Sequence, residues 1–248
     1  MGGVEIAVAA VGLFLAGVLK GTTGIGYSTC ALPFLVAVVG LDSAMGLVIA
    51  PAIASNVALL MTTGGAVRAI NRFWPFYAAV VPGIGVGAAL LASIDPRVAA
   101  QTLGILTIAY SILALTRPEI SISSRSERLL AVPAGFANGL LTGLTGAQVL
   151  PLVPYMMALR LPASLQVQAV NIAVTLASVV LAVAMLGSGL MSTTLLMLSV
   201  SGIAPAMIGV SAGVRVRGRL DAGQFRTISL GVLAVLGLAL LLQPTRSA

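Results

Sequence analysis

Gly17-Val18-Leu19-Lys20-Gly21-Thr22-Thr23-Gly24-Ile25-Gly26 is answered, about 122 residues further on, by Gly139-Leu140-Leu141-Thr142-Gly143-Leu144-Thr145-Gly146-Ala147-Gln148. Each stretch interrupts an apolar run with glycines and hydroxyls. Each is followed by proline: Pro33 after the first, Pro151 and Pro154 after the second. Interruptions of this kind leave backbone groups without helical partners. At membrane depth such groups are tolerated only when buried in protein or lining a wet cavity. Broken apolar segments at matching positions of two halves point to the binding site of a transporter.

Composition agrees with a membrane setting. Of 248 residues, 59% are hydrophobic and 8% charged, and the mean hydropathy is +1.12. A soluble domain carries about 25% charged residues, so this chain cannot cover a water-facing surface. Its apolar runs are continuous, which excludes the alternating strands of a membrane β-barrel. Abundant Gly and Ala fit helices that approach closely in lipid. The net charge of +7 reads as topological, because a nucleic-acid binder needs a soluble fold with a basic face. The lone Cys30 allows no internal disulfide, and the absence of histidine removes histidine-based triads and zinc sites. No enzyme chemistry and no cofactor is expected. The first apolar run lacks a basic leader and a cleavage site, and is expected to belong to the mature protein.

About ten apolar segments follow from the pattern, approximately 4–19, 27–39, 43–61, 73–93 and 97–116, then 129–141, 147–159, 163–186, 190–213 and 221–242. A span needs about 20 residues; the first two of each half fall short and are expected to be half-helices or a tilted hairpin. Further matches accompany the breaks. Gly40-Leu41 corresponds to Arg160-Leu161, Thr63-Gly64-Gly65 to Gly187-Ser188-Gly189, the stretch from Pro82 to Gly87 to that from Pro205 to Val210, and Asp95-Pro96-Arg97 to Asp221-Ala222-Gly223. This ordered series predicts a duplication. The expected organisation is a first membrane repeat over 1–116, a linker over 117–128 and a second repeat over 129–248. The fold class is therefore an all-α polytopic membrane protein of two inverted repeats, each opening with a broken or re-entrant helix pair.

An odd number of crossings per half makes the repeats inverted. One set of loops carries Arg68, Arg72, Arg117, Arg125, Arg128, Arg160, Arg215, Arg217 and Arg219; the other carries Arg97 and Arg246. The positive-inside rule puts the first set, with the linker, in the cytoplasm and both termini outside. Trp74 and Tyr77 sit where interfacial anchors would.

Lys20, the only lysine, lies beside the first break. A charge inside a membrane segment is costly and usually functional, although a lysine near a helix end can also snorkel to the headgroups. With the N–H groups of half-helices beginning near Gly26 and Ala147, it would attract an anion. Candidate substrate-binding residues are Lys20, Gly21, Thr22, Thr23, Gly24, Asn138, Thr142, Gly143, Thr145, Gly146, Gln148 and Asn171. The threonines read equally as donors to an oxyanion or as caps of broken helices. Asn56 reads as a link between helices. Cys30 and the methionines read as packing. The carboxylates Glu5, Asp42, Asp95, Glu119, Glu127 and Asp221 all fall at or near segment ends, so neither a metal or cation site nor an acidic proton relay is expected.

The glycine-rich breaks at Gly21–Gly26 and Gly143–Gly146, the Gly-Leu and Arg-Leu turns after them, and the glycine pairs at Gly83–Gly87 and Gly209–Gly213 resemble the sulfite exporter TauE/SafE family. The resemblance covers nearly the whole chain. It departs at the second break, where Ala147-Gln148-Val149 stands in place of the family's run of glycines. It implies a carrier for sulfur-containing anions such as sulfite, thiosulfate or sulfonates. The reading that follows is a secondary transporter of a small anion in a bacterial cytoplasmic membrane, working by alternating access. The alternative is an anion channel whose Gly-Thr loops form a filter. The expected partners are the anion, the lipid bilayer and a coupling ion, proton or sodium. A homodimer is left open and nucleic acid is excluded.

Overall fold

Gly17 and Gly21 do not interrupt the first helix, although glycine weakens helices in water. The computed structural model describes residues 2–23, 26–62, 64–116, 121–216 and 222–242. Among them the elements are helices: α1 (Gly3–Thr23), α2 (Tyr27–Val39), α3 (Leu41–Thr62), α4 (Ala66–Leu91), α5 (Pro96–Thr116), α6 (Ser124–Thr145), α7 (Leu152–Ala158), α8 (Ala163–Gly187), α9 (Thr193–Ser201), α10 (Ile203–Val216) and α11 (Ala222–Leu241). Six spans of the described residues are long and apolar enough to cross a membrane, with α9 and α10 counted as the single span Thr193–Val216. The ten segments read from the sequence map onto these elements in order.

Two expectations need correcting. The opening helices are not short: α1 has 21 residues and α6 has 22, against 13 in α2 and 7 in α7. Gly17 and Gly21 stay helical because each is a notch for α10, and the Thr22 hydroxyl donates back to the Val18 and Leu19 carbonyls. Second, α7 starts at Leu152 rather than Ala147, since Pro151 suits a helix start and offers no N–H to the turn before it. The helix α6 begins at Ser124. The Ser123 hydroxyl caps that end by accepting from the Ser126 N–H.

Packing follows the glycines. In α1, a methyl group at Gly17 or Gly21 would overlap the carbonyl oxygen of Ala206 or Val210 in α10, and Gly209 and Gly213 meet Phe14 and Val18 in return. In α6, Gly139 and Gly143 meet the carbonyls of Val80 and Ile84 in α4, while Gly83 and Gly87 of α4 meet those of Phe136 and Leu140. In both crossings the residue numbers rise together, so the paired helices run parallel. Small residues facing one another let backbones touch where lipid supplies no hydrophobic drive. The first helix of each half thus packs on the fourth of the other. The fifth helices pair through Gly104 and Gly237, and α3 lies against α8.

The turns repeat as well. Gly40 has φ 79° and its counterpart Arg160 has φ 47°; Gly65 has φ 95° and its counterpart Gly189 has φ 75°. Arg160 is the one non-glycine residue with positive φ among those described. A side chain adopts that strained region only when the surrounding structure dictates it. Apolar side chains such as Val11, Leu15, Trp74, Val86 and Val183 cover the outside, as expected of a surface facing lipid.

Candidate anion site

One residue in a helix turns the side chain by about 100°. Gly21 faces α10, so Lys20 is turned away from that crossing, toward α3. Its side chain is buried, 4% exposed, and its Nζ donates to Ser55 Oγ at 3.2 Å and to Asn56 Oδ1. Ser55 donates its own proton to the Ala52 carbonyl at 3.0 Å, which leaves its oxygen free to accept. Lys20 therefore does not snorkel: both of its partners are buried groups of a neighbouring helix.

The second wall is the start of α2. Gly26 precedes it with φ 92°, and no side chain caps the first turn, so its opening N–H groups lack intrahelical acceptors. The buried hydroxyls of Ser28 and Thr29 have no partner either, nor does the Asn56 Nδ2 amide. The third wall comes from the other half: Gln148 and Val149 of the second break, Leu152 and Val153 of α7, and Val170, Asn171 and Val174 of α8. Gln148 donates to Ser178 Oγ at 2.9 Å, and its Oε1 is unpartnered. An amide and a hydroxyl can exchange donor and acceptor roles, so either end of this amide can face the cavity.

The cavity has a volume of about 20 Å³, room for about one water molecule. Among the described residues its lining holds a single ionisable cation and no carboxylate. Unpartnered buried polar groups are rare and expensive; here four belong to one small cavity. Their chemistry suits an acceptor-rich guest of opposite charge.

The other expected residues are distributed differently. Gly21 and Gly143 lie in the helix crossings. Asn138, fully buried, donates to the carbonyls of Gln148 at 3.0 Å and Leu150 at 3.1 Å, and so pins the non-helical stretch that presents Gln148. Thr142 donates to Asn138 and Ala147 carbonyls, and Thr145 donates to the Leu141 carbonyl while accepting from the Ala147 N–H. These hydroxyls act as caps. Gly146, with φ 75°, ends α6 and borders a smaller pocket that also touches Ser28 and Gln148. Asn171 lines the cavity, with its amide donated to the Val167 carbonyl. Gly24 and the Thr23 side chain lie outside the described residues.

Ser28, Thr29, Ser55, Asn56 and Ser178 were not expected in the site. A signal existed for two of them: Asn56 and Ser178 are separated by 122 residues, the spacing of the two breaks. Ser28 and Thr29 lie in the first turn of α2, just after Gly26, where no side chain caps the helix start.

A family model described as "Sulfite exporter TauE/SafE" matches residues 8–240. No curated protein and no solved structure matches the chain.

Proposed function

This chain belongs to the sulfite exporter TauE/SafE family, a family of membrane transporters for sulfur anions, and we propose that it carries a small sulfur oxyanion or organosulfonate by alternating access about the Lys20 cavity. The observation that supports this most is a buried lysine with neutral partners beside unpartnered hydroxyl and amide groups. Lys20 supplies the charge. Ser28, Thr29 and the first N–H groups of α2 supply oriented donors, and a helix N-terminus adds partial positive charge. Asn56 and Gln148 set the shape, while Asn138, Thr142 and Thr145 hold the stretch that carries Gln148.

The cavity is smaller than the anion, which suits a closed stage of the cycle more than an open pore. Opening would come from the body built around the locked α1–α10 pair rocking against the body built around α4–α6, each pair drawing one helix from each repeat. In this reading the repeats are inverted, both termini are extracytoplasmic and the membrane is the bacterial inner membrane.

The test is flux in proteoliposomes preloaded with sulfite, thiosulfate, isethionate, sulfoacetate, taurine or acetate. A carrier shows saturable counterflow of the accepted anion, and Lys20→Ala abolishes it with the protein still folded. Loss of one charge-assisted contact is worth about 1.5–3 kcal/mol, about ten- to a hundredfold in affinity. Unaltered affinity in Lys20→Ala, or large unitary currents without saturation, would overturn the proposal.

A further inference from the structure

A neutral amine has two N–H groups, and protein supplies Lys20 with two acceptors, Ser55 Oγ and Asn56 Oδ1. An ammonium has a third N–H and a full charge. Neither protein partner carries a negative charge, and no carboxylate lines the cavity among the described residues. Burying an uncompensated ion is costly, whereas a buried ion with a counter-ion regains much of that cost. The counter-ion available to Lys20 is the transported anion itself.

We infer that Lys20 takes up a proton together with the anion, so that the chain is a proton–anion symporter with its proton carried on the substrate-binding lysine. This rests on the anion-site reading above and adds the coupling to it. The step balances simply: the Lys20 amine, one proton from solution and one monoanion become an ammonium–anion pair, one N–H bond forms, and none in the anion breaks. The loaded cavity gains no net charge. A monoanion therefore crosses electroneutrally, driven by the proton gradient. No sodium is needed, which accords with a cavity whose described lining has no carboxylate to hold it.

Other ionisable groups on the surrounding elements are few. On α2 are Tyr27, whose hydroxyl donates to the Leu13 carbonyl at 3.3 Å, and the part-buried Cys30. Glu5 is in the first turn of α1, Asp42 in the first turn of α3 and Arg215 in the last turn of α10. Tyr155 on α7 donates to the Glu127 carbonyl at 2.9 Å. The sequence of α8 has no ionisable side chain, and that of α11 has Arg226.

Isethionate and thiosulfate remain fully ionised from mildly acid to alkaline pH, so a proton taken up on binding goes to the protein. With purified protein in weakly buffered detergent solution, a pH dye reads protons and calorimetry reads binding. The expected result is nearly one proton per bound isethionate at alkaline pH, falling toward zero in acid, with affinity weakening about tenfold per pH unit on the alkaline side. Lys20→Arg, which keeps the charge but does not exchange the proton, binds with no proton uptake and a flat pH profile. Cys30→Ala leaves the proton count unchanged, and so does Tyr27→Phe, whatever that change does to affinity. Binding by the unmodified protein without proton uptake at any pH overturns the coupling and leaves the anion site standing. Failure of both probes to bind removes the anion site and the coupling together.

Discussion

The hydroxyl of Ser199 in α9 donates to the Leu47 carbonyl of α3 at 3.2 Å, taking the place of a backbone donor that α3 itself cannot supply. Four residues on from Leu47 stands Pro51, where the chain has no N–H to give. The same Ser199 oxygen accepts from the Ala50 N–H at 3.1 Å. One side chain thus repairs the helix that carries Ser55 and Asn56 toward Lys20.

Ser199→Ala should lower stability by about 1–3 kcal/mol, the cost of leaving a buried acceptor unpaired. Pro51→Ala restores the missing donor, so the double variant should recover much of the loss. Thermal unfolding in detergent of the two single variants and the double variant measures the coupling. Strict additivity of the two changes would contradict the repair.

Glycines in the crossings should tolerate nothing larger. Gly143→Val forces a side chain into the Ile84 carbonyl, and overpacking of this kind costs about 1–3 kcal/mol or more. Gly85, on α4, has open space where its side chain would be, so Gly85→Ala should stay within about 0.5 kcal/mol of the parent. Equal effects of the two changes would argue against locked helix pairs.

The threonines and the cavity hydroxyls should separate by assay. Thr142→Val removes donations to two carbonyls and should lower stability by about 1 kcal/mol, with any loss of affinity recovered where the protein is fully folded. Ser28→Ala removes a hydroxyl with no protein partner. It should leave stability unchanged or slightly raised while weakening anion binding about tenfold. Binding isotherms taken beside melting curves decide the matter, and the reverse pattern would place the anion at the second break alone.

The single native cysteine makes topology measurable. In a Cys30→Ala background, a cysteine replacing Gly2 should react with a membrane-impermeant maleimide from outside intact cells. One replacing Ser121 should react only after permeabilisation. Labelling of both from the same side would refute an odd number of crossings per half.

The breaks and the membrane setting were readable in the chain because they are local or compositional. Low charge rules out a water-facing surface wherever the helices lie, and Gly40 with Arg160, or Gly65 with Gly189, occupy matching turns that short-range sterics impose. What a glycine in those breaks does was not readable. Gly21 and Gly146 look alike in sequence, yet one is a notch for a neighbouring helix and the other a helix cap; the difference lies in a partner helix nearly two hundred residues away for the first and in its own backbone for the second. Asn56 became a partner of Lys20, and Thr142 a cap, for the same reason. A hydrogen-bonding side chain takes whichever acceptor the packing brings near, and across α1, α3, α7 and α8 only the tertiary structure decides which groups are left unpartnered around one cavity.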